Sequence, residues 1–240
     1  MEFSEKANVF HDDPRFYNDQ GHNSKVAAMG DIVHIHSGSA KLKFSITTNS
    51  PIERVDIFNG INHLETIRPY KRDDLGSRIR VLWSGAEYRG RFRQVVWSGK
   101  AMLTNNKILY AQPINFFNKD KKLRVVSNQE VYWESLTTGN IAGMDLFLES
   151  SKSGEIKIDT PLIKQNISID RIGFDDKVFS NDGALPRSIK IFRMPDKNSV
   201  KQLDVVRNIK INDTGDNPIY VRFAQEDGTI CWSSPIYVYR

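Results

Sequence analysis

Four residues that follow the first of two Trp-Ser-Gly triplets are of the types best suited to binding an anion. Arg89, Arg91 and Arg93 alternate along the chain, and Tyr88 precedes them. If this segment is a β-strand, residues two apart share a face and the three guanidinium groups lie roughly 6–7 Å apart. Arginine binds phosphate and carboxylate groups in a bidentate manner. The spacing therefore predicts a binding face for an anion or an acidic partner, made by Arg89, Arg91 and Arg93. Tyr88, which points to the other face of such a strand, is a further candidate binding residue.

A structural interpretation of the same residues is also open. Each arginine is then paired with an aspartate or glutamate of a neighbouring strand, and the face is simply solvated. Such surface ion pairs are common and contribute little to stability. The two interpretations differ in whether carboxylates lie beside the arginines.

A second candidate site consists of His34 and His36, which follow Asp31. Two histidines at this spacing face the same way on a strand, which would suit a metal ion. A metal site needs further ligands, however, and the only later histidine is His63. We therefore expect ordinary strand histidines here, with neither a bound metal nor another cofactor.

The aromatic residues give a third candidate site. An aromatic platform could stack against sugar rings, although tryptophan in a β-sandwich is more often part of the core. The aromatic set consists of Trp83, Trp97, Trp133 and Trp232, with Tyr88, Tyr132, Tyr220, Tyr237 and Tyr239. No motif for a catalytic nucleophile is present, and Cys231 lies between two apolar residues, where cysteine usually acts as a small hydrophobic side chain. We therefore assign no catalytic residue.

Composition limits the remaining functional classes. The chain has 240 residues, a net charge of +5 and one cysteine. The modest positive charge is spread along the chain, so nucleic acid is not an expected partner. No segment approaches the roughly 18 consecutive apolar residues of a membrane helix, and the first residues lack the apolar core of a secretory signal. We expect no membrane partner and, by default, a cytoplasmic location; the oligomeric state is left open.

The elements that must position these residues are strands. Ala40, Leu42, Phe44 and Ile46 alternate with polar residues, which is typical of a strand with one buried face. Asn59-Gly60 and Asp227-Gly228 are strong signals for hairpin turns. No helical periodicity is sustained anywhere, so we predict an all-β fold with less than about a tenth of helix, an antiparallel β-sandwich of the immunoglobulin or jelly-roll kind.

Domain boundaries and connections follow from the same patterns. Residues 1–34 are polar and aperiodic, and we predict an irregular N-terminal arm there, with a helical turn near 24–29. Residues 35–240 are predicted to form the sandwich domain. Asn105-Asn106 is a further hairpin candidate, and the two Trp-Ser-Gly triplets are interpreted as the two strands of one hairpin.

Several segments, in order, resemble the C-terminal part of an uncharacterised bacterial family, domain of unknown function 3604. They are PIERVDIFNG (51–60), RPY (68–70), DLGSRIRVLWSGAEYRGRFRQVVWSG (74–99), PINFFN (113–118), TTGN (137–140), GALPRSIKIFRMP (183–195) and NPIYVRFAQEDGTICWSSPIY (217–237). Full-length members are similar, upstream of this region, to metal-dependent hydrolases of the polymerase-and-histidinol-phosphatase (PHP) type.

The resemblance implies a non-catalytic accessory β-sandwich whose partner is a PHP-like catalytic domain. No catalytic residue of the family can be transferred, because the matching positions would precede this chain. The alternative is a free-standing binding module for an anionic or carbohydrate ligand.

Overall fold

The computed structural model describes residues 1–13, 15, 19–90, 93–181 and 185–240. These residues form two compact units. Unit 1 consists of Met1–Pro69 and Ser199–Arg240, and unit 2 is the continuous segment Tyr70–Asn198.

The described residues are organised almost entirely as strands, with two short 3-10 helices and no α-helix. The first segment of unit 1 contains β1 Glu2–Phe10, β2 His22–Val26, β3 Ile32–His34, β4 Ser39–Thr47, β5 Ile52–Asn59 and β6 Asn62–Ile67. Unit 2 contains β7 Arg78–Ser84, β8 Val95–Val96, β9 Gly99–Thr104, β10 Ile108–Ile114, β11 Leu123–Ser127, β12 Glu130–Trp133, β13 Leu136–Thr137, β14 Ile141–Leu148, β15 Glu155–Asp159, β16 Lys164–Ser168, β17 Lys177–Asn181 and β18 Arg187–Met194, with 3-10 helices at Arg72–Asp74 and Ile169–Arg171. The second segment of unit 1 contains β19 Gln202–Lys210, β20 Asn217–Gln225, β21 Ile230–Trp232 and β22 Ile236–Tyr239. The predicted all-β fold is confirmed.

Unit 1 is built on one curled sheet with the strand order β19-β4-β1-β3-β22-β20-β5-β6, to which β2 and β21 are attached at β1 and β20. All neighbours are antiparallel except β3 and β22, which run parallel. The two edge strands of the sheet approach each other, because Nε of Arg207 on β19 donates to Oε2 of Glu65 on β6 over 2.9 Å. Alternate residues of each strand face the concave side and form the core of the unit.

The N-terminal segment differs from the predicted irregular arm. Strand β1 lies inside the curled sheet, and its Phe3 and Val9 are 6% and 1% exposed. Residues 22–26 form β2 where a helical turn was expected, so that expectation was wrong. The polar residues of β1 are compatible with a strand, because a strand with one solvated face needs only every second residue to be apolar.

Unit 2 is a β-sandwich of two sheets, ordered β10-β14-β7-β18-β17 and β11-β12-β9-β15-β16, with the short pair β8–β13 beside them. Apolar residues from both sheets form one core. Trp83 and Trp133 stack there with ring centres 5.1 Å apart, and both are almost fully buried.

The Trp-Ser-Gly triplets do not form one hairpin, as we had expected. Trp83 lies on β7, which pairs with β14 and β18, whereas Trp97 lies between β8 and β9 in the other part of the sandwich. The indole of Trp97 donates to Oγ1 of Thr137 over 2.9 Å, and that of Trp133 donates to the carbonyl of Trp97 over 2.6 Å. The triplets therefore supply core residues to unit 2.

The hairpin predictions had mixed outcomes. The hairpins near Asn59-Gly60 and Asp227-Gly228 are confirmed, and both glycines have positive φ. The prediction of a hairpin at Asn105-Asn106 was wrong, because β9 and β10 belong to different sheets. Asn106 instead anchors a crossover, with its amide donating to the carbonyls of Ser150 and Ser153.

Candidate functional site

The arginine segment is not a strand in its described part. Residues 85–90 and 93–94 form a loop, and the backbone N–H of Glu87 donates to the carbonyl of Arg93 over 2.9 Å. Arg93 has a φ of 49°, which a strand does not allow. The strand prediction was therefore wrong for these positions, while Arg91 lies outside the described residues.

Two contacts describe the surroundings of this loop. The guanidinium of Arg89 lies 5.6 Å from the ring centre of Tyr88, and the loop carboxylate of Glu87 accepts from Arg187 at 2.8 Å. The predicted binding role of Tyr88, Arg89, Arg91 and Arg93 stays a prediction. Its original basis, the regular spacing of arginines along a strand, does not apply to a loop.

The histidine pair is close in space, although His36 lies beyond the end of β3 and not on a strand with His34. His34 ends β3, its ring centre lies 4.9 Å from that of His36, and it also contacts Tyr239 at 5.0 Å. Within the described part of the chain, no group of three or more histidine, cysteine, aspartate or glutamate side chains is arranged to hold a metal ion.

The tryptophans separate into two environments. Trp83, Trp97 and Trp133 are buried in the core of unit 2 and are inaccessible to a sugar ring. Trp232, in contrast, is 61% exposed and lies at the end of β21 in unit 1. It lines a cleft that sequence analysis did not anticipate.

The cleft lies beside β4 because this strand pairs with its neighbour β1 at one point only. The two strands share a single register pair, Glu2 with Lys41, at the very start of β1. Residues 42–47 of β4 therefore extend past the start of β1, while their opposite edge remains paired with β19. On the cleft side, no described strand pairs with this overhanging part of β4.

The opposite wall of the cleft also has an open strand edge. Strand β21 pairs only with β20 among the described strands, and the chain then passes through Ser233, Ser234 and Pro235 before β22 begins. Proline cannot donate a backbone hydrogen bond, which favours this interruption between the last two strands. The resulting space between β4 and β21 has a volume of about 660 Å³.

The lining of the cleft is mainly apolar. Side chains of the unit 1 core reach it from β4, β20 and β22, and exposed Met29 lies at its margin. The apolar lining residues are Met1, Ala27, Ala28, Met29, Leu42, Phe44, Ile46, Ile219, Val221, Phe223 and Ile236.

A few polar groups converge on this apolar lining. Lys43 is the charged residue among the described lining residues, and its ammonium donates to Oε1 of Glu2. Three serines, at positions 45, 233 and 234, add hydroxyl groups. The Oγ of Ser233 accepts from the backbone N–H of Val221 over 3.1 Å, and Ser45 donates to Asp204.

The loop that forms the third wall is fixed by Asp31, which is 6% exposed. Its carboxylate accepts from the backbone N–H of Ala28 over 2.7 Å and lies 2.8 Å from Nδ1 of His11. The hydrogen bond and the charge of Asp31 raise the pKa of His11 above its usual value. The backbone N–H of Gly30 donates to the carbonyl of Pro235, which ties this loop to the wall beside β21.

The cleft combines open backbone edges, an apolar floor, an accessible indole and a few hydroxyls. These groups are suited to binding a ligand, by hydrogen bonds and apolar contact. Of its lining residues, Trp232 and Tyr220 belonged to the aromatic candidate site. None of the helical segments that the structure describes has the length and apolar character needed to span a bilayer. Comparisons with known proteins found no matching family model, no matching curated protein and no matching solved structure.

Proposed function

We propose that this chain is a binding module whose ligand occupies the cleft of unit 1. The observation that carries the proposal is the cleft itself, an apolar concavity of about 660 Å³ with a small number of convergent polar groups. Ligand sites in proteins have this size and character, and the mouths of curled or closed sheets are frequent places for them.

The lining supports both kinds of ligand expected from the sequence, though at a different place. The exposed indole of Trp232 offers a flat surface to a sugar ring or another planar apolar group. The ammonium of Lys43 offers a partner to an anionic group, in competition with Glu2. The cleft is thus a second candidate place for the ligand binding predicted at the arginine segment.

A second role, compatible with the first, rests on the resemblance to domain of unknown function 3604. In that role the chain is a non-catalytic accessory β-region of a PHP-like metal-dependent hydrolase, and it binds the catalytic domain. Isothermal titration of the purified chain with a PHP-like domain from a family member tests this role, and no heat of binding would contradict it.

Binding in the cleft is tested with an apolar fluorescent probe, 8-anilinonaphthalene-1-sulfonate. We expect bound-probe fluorescence with the native chain and at least about a tenfold weaker Kd with Ser234→Arg, since a long side chain at this exposed position fills the mouth of the cleft. Ser180→Arg is the matched control, because Ser180 is also exposed but lies on β17 in unit 2. Equal binding by the native chain and both variants would place the probe elsewhere and refute the cleft as the binding site.

A further inference from the structure

We propose that one end of the unit 2 sandwich is a separate binding site and that its ligand is an acidic carbohydrate. Three segments form this loop end: the arginine loop, whose described residues are 85–90 and 93–94, the loop 115–122 and the segment 134–140. The site lies in unit 2, whereas the cleft lies in unit 1, so the inference does not depend on the proposed function.

Strand pairing brings the three segments to the same end of the sandwich. Ser84 at the end of β7 pairs with Ile141 at the start of β14, and Ile114 at the end of β10 pairs with Gly143. The loops that follow β7 and β10 and the segment that precedes β14 therefore share one edge of the sheet. Loops at the end of a sandwich are frequent binding sites, because a rigid scaffold positions their side chains.

A small pocket of about 170 Å³ lies between the loop 115–122 and the segment 134–140. Asn118 and Asn140 line it, and each Oδ1 accepts from a nearby backbone N–H, that of Asp120 or Thr138, over 2.9 Å. Their amide NH2 groups have no acceptor among the described residues, so they are held in place as donors for a ligand. Sites for drug-sized ligands measure about 300–1,000 Å³, so this pocket suits a smaller unit such as one sugar ring.

The pocket also contains one group of each charge. Lys121 and Glu134 both line it, and neither forms an ion pair in the described part of the chain. The carboxylate of Glu134 accepts hydrogen bonds from hydroxyl groups but repels a phosphate, whereas the ammonium of Lys121 attracts an anionic group. This combination favours a hydroxylated ring that bears an acidic group over the phosphate backbone of a nucleic acid.

Exposed aromatic rings accompany the pocket. Phe117 lines it and is 81% exposed, and Tyr88 on the arginine loop is 58% exposed. The two sides of the loop end are connected, since the backbone N–H of Gly139 donates to the carbonyl of Gly85 over 2.9 Å. An exposed ring offers a flat apolar surface on which the apolar face of a sugar can stack.

Basic side chains on both loops explain why the carbohydrate should be acidic. Arg89 and Arg93 lie on the arginine loop, and Lys119 and Lys122 on the loop 115–122. None of these four forms an ion pair with a carboxylate among the described residues, so the structural interpretation of the arginines does not hold for Arg89 and Arg93. Neighbouring cations repel each other until an anion is bound among them. A chain of sugar rings with repeated acidic groups meets both the charges and the aromatic rings.

The test measures binding of a fluorescein-labelled alginate oligosaccharide, a chain of uronic acids, to the full chain by fluorescence polarisation at about 0.15 M salt. Lys121→Gln and Phe117→Ala should each weaken the Kd at least about fivefold. Lys152→Gln is the matched control for charge, because Lys152 is exposed between β14 and β15 at the opposite end of the sandwich. Leu109→Ala, at a 64% exposed residue of β10, is the control for Phe117. Both controls should stay within about twofold of the native chain.

Other labelled polymers separate the alternatives. If dextran sulfate replaces alginate with the same sensitivity to both variants, the acidic group is a sulfate and the inference holds. Equal binding of neutral dextran would refute the requirement for an acid, and tighter binding of oligodeoxythymidylate would identify the ligand as nucleic acid and refute the inference. If Lys121→Gln and Lys152→Gln weaken binding alike while Phe117→Ala has no effect, net charge alone attracts the polymers and the site is refuted. Ser234→Arg should leave alginate binding unchanged, so a failure here leaves the cleft of unit 1 untouched.

Discussion

Asp145 shows how unit 2 accommodates charge in its interior. It is 1% exposed and accepts from two buried arginines, with Nε of Arg80 at 2.7 Å and a terminal nitrogen of Arg78 at 2.5 Å. All three lie on the face of their sheet opposite to the Trp83 core. Removing one partner from such a buried charged group is strongly destabilising, because the protein interior solvates charge poorly.

We therefore expect Asp145→Asn to lower the free energy of unfolding by about 3–5 kcal/mol. Asp175→Asn is the matched control, because Asp175 pairs with Arg72 at the surface and such pairs contribute at most about 1 kcal/mol. Urea denaturation of both variants measures the difference. Equal stability of the two variants would show that the buried charges are better solvated than their burial indicates.

Asp56 of unit 1 predicts a dependence of stability on pH. Burial acts to raise the pKa of its carboxyl, but hydrogen bonds from Thr66 and Arg222 and the charge of Arg54 outweigh it and lower the pKa below the usual value. A carboxyl with a lowered folded-state pKa stabilises the protein above its unfolded-state pKa, and this stabilisation is lost as the pH falls through the folded-state pKa.

Asp56→Asn should consequently be less stable than the native chain at pH 7, and the difference should shrink below about pH 4, near the ordinary aspartate pKa. Urea midpoints of both proteins at about pH 7, 4.5 and 3 test this. The comparison with the variant cancels the contributions of other acidic groups. A difference that is constant across the range would contradict the direction of the pKa shift.

At the scale of elements, β1 contributes to unit 1 through both strand pairing and core packing. It pairs with β2, β3 and β4, and it delivers Phe3 and Val9 to the core. Of the other apolar residues in the predicted arm, Val26 and Met29 are exposed, and Phe16 and Tyr17 lie outside the described residues.

Phe3→Ala is expected to destabilise the protein by about 3–5 kcal/mol, because a buried phenylalanine is replaced by a cavity. Met29→Ala should change stability by less than about 0.5 kcal/mol, since Met29 is 67% exposed. Thermal or urea unfolding of the two variants provides the measurement. If Phe3→Ala unfolds like the native protein, β1 does not contribute to the core in solution.

Particular elements show what the sequence could predict. The alternation from Ala40 to Ile46 identified β4 correctly, because burial of one face imposes a period of two. The same reasoning failed from Tyr88 to Arg93, where Gly85 and Gly90 have φ values of 142° and 121° and allow the chain to turn. These two glycines were the available signal for a loop. The cleft was beyond prediction, because it depends on the register between β1 and β4, which no local pattern encodes.

At the scale of the whole molecule, each unit has its own core. The core of unit 2 consists entirely of residues between Ile79 and Ile191, and the core of unit 1 takes its residues from both flanking segments. A core that lies within one continuous segment is the ordinary condition for independent folding.

We expect the excised segment 70–198 to fold by itself. Its far-ultraviolet circular dichroism should be that of a β-protein, and its emission should indicate buried tryptophan, because Trp83, Trp97 and Trp133 all lie in its core. Urea should unfold it in one cooperative transition. A spectrum of disordered chain, or unfolding without cooperativity, would show that unit 2 depends on residues outside it.

The division of unit 1 into two segments has a consequence for protein synthesis. Strands β4 and β5 leave the ribosome before unit 2, whereas their partners β19 and β20 follow it. At about 5–20 residues per second, the ribosome needs roughly 7–28 s to translate the segment between β5 and β19. Throughout this interval the nascent chain carries long strands with unsatisfied edges, and β4 bears Lys41, Lys43 and a neighbouring run of polar residues on one face. Charged side chains, lysine above all, disfavour edge-to-edge pairing of strands, so we expect Lys41 and Lys43 to oppose the association of incomplete chains through β4.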